Sequence, residues 1–280
     1  LGQLAAQQAV TDEHGEARIA LLSFEAGPAT ITATSANDRQ GKTRSVQFLP
    51  DTSNAIVNTI DTDRNDAIAD GRDSIAVTVK ITDPNNNPVA GIAVKMAAPA
   101  GLLSPATAIS DAKGHVQATL TSKTAGDVVI TATTASDPQG KTHSVHFSAD
   151  ATTAAITELS ADKFTAIADD ADTITLTAKL TDVNNNPVAN GVVIFATAQG
   201  HLSAAEATTN AEGKAQVKIT STSSGIATVS ATAATDAHGK RLDLRYVANP
   251  ATAIVESLTS SVDRAPADDV SAITFTATLK

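Results

Sequence analysis

The chain has 280 residues, a formal net charge of −10 and 42% hydrophobic residues, the latter mostly Ala, Val, Ile and Leu, with six Phe, one Tyr and no Trp. An acidic balance without a basic run excludes the Lys/Arg patches that nucleic acid and anionic lipid demand, and no apolar stretch approaches the ~20 residues that span a bilayer as a helix. Cysteine is absent, which removes disulfide frameworks, thiolate zinc sites and cysteine nucleophiles.

From the N-terminus, Leu1-Gly2-Gln3-Leu4 carries neither a basic stretch nor an apolar run and does not read as a signal peptide. Asp12-Glu13-His14-Gly15 reads as a turn, Ile31-Thr32-Ala33-Thr34 as a strand and Gly41-Lys42 as part of a further turn. A short link follows around Asp51–Ala55. Next, Ile75, Val77, Val79 and Ile81 alternate with Ala76, Thr78, Lys80 and Thr82, the pattern of a strand buried on one face. The segment Thr82-Asp83-Pro84-Asn85-Asn86-Asn87-Pro88 is expected to close a long hairpin, because Asn and Asp accept turn conformations and bond their own backbone. Asp111-Ala112-Lys113-Gly114 marks the next turn. Val116, Ala118 and Leu120 form another alternating strand, as do Val128, Ile130 and Ala132. Asp137-x-x-Gly140-Lys141 precedes a last strand with Val145 and Phe147.

Beyond a second link around Asp150–Ala154 the series starts again. Ile174, Leu176, Ala178 and Leu180 alternate with Thr175, Thr177 and Lys179, and Thr181-Asp182-Val183-Asn184-Asn185-Asn186-Pro187 repeats the earlier turn at an offset of 99. The same offset carries Gly2 to Gly101 and Gly200, and Gly41 to Gly140 and Gly239, with no insertion or deletion. A solenoid unit of 20–50 residues cannot stand alone, whereas ~100 residues is the size of a complete sandwich domain. The expectation is all-β: tandem immunoglobulin-like antiparallel β-sandwich domains of about seven strands each. Residues 1–54 read as the C-terminal part of one repeat, 55–153 and 154–252 as complete repeats, and 253–280 as the first strands of a further one, beyond a third link around Asn249–Ala253. Both outer pieces read as cut, so the chain reads as a slice of a longer protein.

The stretch from Leu176 to Phe195, then Gly200-His201-Leu202-Ser203, Thr209-Asn210-Ala211-Glu212-Gly213 and Val229-Ser230-Ala231-Thr232, resembles the bacterial immunoglobulin-like (group 1) domains of the invasin/intimin family of outer-membrane adhesins. The resemblance runs over essentially the whole chain. It implies a structural stalk that projects a distal binding tip for cell adhesion, an outer-membrane anchor beyond this stretch, cell-surface localisation and a host receptor reached through regions outside it. The partners expected here are the adjacent repeats.

Individual motifs have plainer readings. Asp83-x-Asn85-x-Asn87 and Asp182-x-Asn184-x-Asn186 open like an EF-hand loop, but Pro88 and Pro187 stand at the position of its glycine and Val94 and Val193 at that of its bidentate glutamate. Asp61, Asp63, Asn65 and Asp66 become Ser160, Asp162, Phe164 and Thr165 one repeat later, an exchange no carboxylate-rich calcium site would survive. Asp169, Asp170 and Asp172, and again Asp268 and Asp269, read as solvated loops. His143 and His146, three apart in a strand, fall on opposite faces. His201 replaces Leu102, and Glu158, Glu206, Glu212 and Glu256 are scattered. The sequence thus assigns no catalytic, cofactor-binding or metal residue, no cofactor and no enzymatic activity. The alternative to a stalk is that one repeat itself binds a host protein or self-associates, which requires an exposed apolar patch in one repeat only. Phe164 and Met96 are the candidates.

Overall fold

Small and β-branched side chains at alternate positions favour extended backbone, where they pack on the pleat, and the computed structural model, which describes residues 1–279, is built almost wholly of strands. It divides into two units, Leu1–Ala149 and Asp150–Lys280.

The first unit opens with two strand pairs, β1 (Gln3–Leu4) with β2 (Leu21–Leu22) and β3 (Gly27–Ser35) with β4 (Asp38–Phe48). After a single 3-10 turn, Thr52–Asn54, come β5 (Ile56–Thr62), β6 (Asp66–Ile68), β7 (Ser74–Thr82), β8 (Ala93–Ala97), β9 (Leu102–Ser104), β10 (Thr107–Ile109), β11 (His115–Thr121), β12 (Gly126–Thr133) and β13 (Lys141–Ser148). They make two sheets, ordered β5-β7-β11-β9 and β10-β8-β12-β13-β6. Pairing is antiparallel except between β6 and β13. Alternation decides what lies between the sheets: Ile75, Val77, Val79 and Ile81 of β7 share one buried cluster with Val94, Met96, Val128, Ile130, Val145 and Phe147 of the facing sheet. Each such side chain removed from water contributes about 1.5–3 kcal/mol.

The second unit repeats the plan. Behind the turn Ala151–Thr153 lie β14 (Ala155–Ala161), β15 (Thr165–Ile167), β16 (Ile174–Thr181), β17 (Val192–Thr197), β18 (His201–Leu202), β19 (Glu206–Thr208), β20 (Lys214–Thr220), β21 (Gly225–Ala233) and β22 (Asp236–Val247). Their sheets are β14-β16-β20-β18 and β15-β22-β21-β17-β19. A third turn, Pro250–Thr252, leads to β23 (Val255–Ser260) paired with β24 (Phe275–Leu279). The edge strands β5 and β14 carry bulges, at Val57/Thr59 and Ile156/Glu158.

The all-β antiparallel sandwich is as expected, with three differences of detail. Each complete sandwich has nine strands where about seven were expected, because strands of two or three residues are too short to show alternation. Asn-Asn-Asn-Pro does not close a hairpin: β7 and β8 lie in different sheets, and Thr82 meets Pro88 only through an isolated bridge. Asn86 N–H bonds back to Asp83 O at 3.0 Å and Asp83 N–H to Asn87 O at 2.9 Å, so the loop folds on itself and hands the chain across the sandwich. Finally, the links contain 3-10 turns. Asp51 and Asp150 cap them by accepting from Ser53 N–H and Thr152 N–H, the role for which a short acidic side chain at a helix N-terminus is suited.

Candidate functional site

The aspartates are the residues most able to carry chemistry, and the structure shows what occupies them. Asp63 and Asp162 each accept a backbone N–H from the neighbouring strand, Ala76 and Thr175, at 2.8 Å. Asp73 and Asp172 accept from Ile68 and Ile167 at 2.8 and 2.9 Å and pair with Arg64 and Lys163 respectively. Asp137 and Asp236 each bridge two segments: one oxygen takes the N–H of Gly140 or Gly239 in the tight turn, the other that of Val57 or Ile156 in the first strand, at 2.9–3.1 Å. Hydrogen bonds to the ionised form lower a carboxyl's pKa. Asp73 sits below the ordinary 3.8 chiefly through Ile68 N–H and then Arg64, Asp162 through Thr175 N–H, and Asp236 through Gly239 and Ile156 N–H.

Asp83 is the most enclosed of the candidates, 2% exposed. Oδ1 accepts Asn85 N–H and Asn87 N–H, both at 2.9 Å, and Oδ2 accepts Asn87 Nδ2–H at 2.9 Å and Asp51 N–H at 3.1 Å. Burial alone would raise its pKa, but the Asn87 carboxamide and the N–H groups of Asp51, Asn87 and Asn85 outweigh it and bring the value down. Asp182, 3% exposed, is held in the same way by Asn184, Asn186 and Asp150. Oxygens that are filled by the chain's own donors do not look outward for a cation. Among the described residues no group of three or more His, Asp or Glu is placed to hold a metal ion.

The remaining candidates disperse. His143 Nε2 lies 3.2 Å from Thr62 Oγ1 and 3.3 Å from Asn65 Oδ1, whereas His146 Nδ1 pairs with Asp127 at 2.7 Å. His201, Glu158, Glu206, Glu212 and Glu256 are exposed and lie on separate elements. Of the two apolar candidates Met96 is wrong: at 4% exposed it lies in the core, because it alternates in phase with Val94. Phe164 is 57% exposed. Its carbonyl accepts Arg245 N–H at 2.9 Å, and the strand register sets Arg245 opposite Ile226, which is 66% exposed. The sequence reading missed that Asp83 and Asp182 reach the links at Asp51 and Asp150. A usable signal was present, since both members of each pair recur at the 99-residue offset.

Two face-packed, mainly antiparallel sheets, repeated in tandem with their enclosed carboxylates bonded to turns and neighbouring strands, define an immunoglobulin-like structural module. The chain belongs to the family of the bacterial Ig-like domain (group 1), whose model matches residues 57–148 and 156–246. Its relatives are adhesins of the kind the sequence resembled. An inverse autotransporter adhesin, YeeJ, of Escherichia coli strain K12 is 30% identical over 89% of this chain and 11% of that protein. Intimin of Escherichia coli O127:H6 is 36% identical over 60% of this chain and 18% of its own length. The chain thus spans less than a fifth of these two relatives. The solved structure of InvD from Yersinia pseudotuberculosis, 20% identical, covers 76% of this chain and 64% of that one with a TM-score of 0.55, and shares the fold.

Proposed function

We propose that this chain is a length of stalk from a bacterial surface adhesin, made of repeats bounded near residues 55, 154 and 253, and that it performs no catalysis. In this reading it stands outside the outer membrane, is anchored by a region beyond this stretch and carries a receptor-binding tip at a distance. The observation that supports it best is the pair of closed sandwiches in which the same carboxylates accept the same backbone N–H groups 99 residues apart. Such a module is built to be copied, and its enclosed carboxylates are taken up by its own backbone. From strands rising ~3.3 Å per residue plus loops, one sandwich is ~35–45 Å long.

The test is to delete residues 154–252 from the surface-displayed adhesin. Receptor binding should persist with the tip brought closer to the cell. Loss of binding with the tip still folded would refute the stalk. The second reading, a repeat that itself binds a partner, is favoured by the exposed Phe164, whose strand neighbour Arg245 stands between it and the exposed Ile226. Binding of the purified chain to host cells that Phe164→Ala abolishes would establish it.

A further inference from the structure

Asn87 does more than shape its own loop. Its Oδ1 accepts Ala26 N–H at 2.8 Å and its Nδ2 donates to Phe24 O at 2.8 Å as well as to Asp83 Oδ2. Residues 24 and 26 precede β3, one repeat earlier in the chain. The adjacent Asp83 carboxylate takes Asp51 N–H, from the link. The carboxylate and the carboxamide therefore grip the preceding repeat at two places, and both grips fall on backbone atoms. None reads a side chain.

The surface they grip is itself shaped by the sequence. Ser23 Oγ donates to Glu25 O at 2.9 Å and accepts Glu25 N–H at 3.1 Å, folding a small turn that sets Phe24 O and Ala26 N–H facing outward. The same serine turn recurs at Ser122, which bonds Thr124 O and N–H at 2.8 and 3.0 Å, and at Ser221, which bonds Ser223 O and N–H at 2.8 and 3.1 Å. Each ends in a glycine, Gly27, Gly126 or Gly225, with φ between +131° and +148°. The residues between differ at nearly every position, with alanine alone shared by two of the turns: Phe24-Glu25-Ala26, Lys123-Thr124-Ala125, Thr222-Ser223-Ser224. What is kept is the backbone shape. The bond between the two side chains recurs too, from Asn186 Nδ2–H to Asp182 Oδ2.

We propose that the Asp83–Asn87 pair is an interaction surface whose partner is the serine turn and link of the preceding repeat, a coupler that reads backbone only. It follows that a repeat accepts any predecessor that presents a serine turn, whatever its surface side chains, so repeats can be reordered or duplicated without re-matching their junctions. The coupler is independent of whether the stalk carries a tip.

Amide exchange measured by NMR on the full chain tests it. A part-buried hydrogen bond that contributes about 1 kcal/mol implies that Asn87→Ala speeds exchange at Ala26 N–H about fivefold, while Asn85→Ala, whose backbone N–H alone serves the loop, leaves it unchanged. Phe24→Ala and Glu25→Ala should also leave it unchanged. Ser23→Ala, made wholly outside the sandwich of residues 55–148, should speed exchange of both Ala26 N–H and the Asn87 side-chain amide. It decides the matter should Asn87→Ala disturb its own loop. Unchanged Ala26 exchange in Ser23→Ala, or release by Phe24→Ala equal to that by Asn87→Ala, would overturn the coupler.

Discussion

The two complete sandwiches place the same bonds beneath different side chains. Where the first has Phe147 the second has Tyr246, and Met96, Leu120 and Ser110 become Phe195, Ile219 and Thr209. The hydrogen bonds hardly notice. Ser110 Oγ donates to Val89 O at 2.8 Å and Thr209 Oγ1 to Val188 O at 2.6 Å. Asp111 Oδ1 accepts Lys113 and His115 N–H, and Asn210 Oδ1 accepts Glu212 and Lys214 N–H. Cores tolerate exchanges that keep volume and pattern, whereas an Asp or Asn oxygen that accepts two N–H groups at once fixes the backbone path of its turn. In this module the polar turn residues hold the chain path constant while the apolar interior varies.

Four measurements would break or sharpen that contrast. Truncation should cost both repeats alike: Phe147→Ala and Tyr246→Ala each remove a fully buried ring and should destabilise by about 4 kcal/mol, each confined to its own repeat by amide exchange. Alkali should separate them. Burial, and then the charge of Asp172, push the Tyr246 phenol up to about 12 from 10.0, so the folded state keeps its proton where the unfolded state loses it. Stability is full below pH 10 and falls as pH rises toward 12, by about 2 kcal/mol. Only the second repeat has this group, and parallel alkaline melting of both would contradict the assignment. Smaller still is the hydroxyl itself, which donates to Ile219 O at 3.0 Å. Tyr246→Phe should cost about 1 kcal/mol, and Phe147→Tyr should recover part of that in the first repeat through Leu120 O, read from urea midpoints. Last come the ion pairs. Arg64 also donates through Nε to Ser74 O at 3.1 Å whereas Lys163 bonds Asp172 alone, so Arg64→Ala should cost roughly 0.5–1 kcal/mol and Lys163→Ala less.

The long strands were legible because burial on one face leaves a period of two in the sequence, as in Ile75 to Ile81 and Ile174 to Leu180. The repeat made the tandem plan legible without any structural knowledge. Partners far apart in sequence were not. Asp83 looks like a turn residue from its neighbours, and its bond to Asp51, 32 residues away, leaves no local trace. The crossing of the 83–88 loop between sheets was hidden for the same reason: alternation says which face a strand buries and nothing about which strand lies beside it. Comparing repeats argued against reading Asp61 to Asp66 as a metal site, whereas the N–H groups that Asp63 and Asp162 accept from the next strand emerged only with the fold.

The bulged and very short edge strands have a consequence for crowding. Open sheet margins held at high local concentration recruit one another into fibres. The outermost strands of the two complete sandwiches offer little to recruit. Those at Asp66–Ile68, Leu102–Ser104, Thr107–Ile109, Thr165–Ile167, His201–Leu202 and Glu206–Thr208 are two or three residues long, and the two longer ones are kinked by their bulges. Sandwiches with such margins can be crowded together and still remain separate.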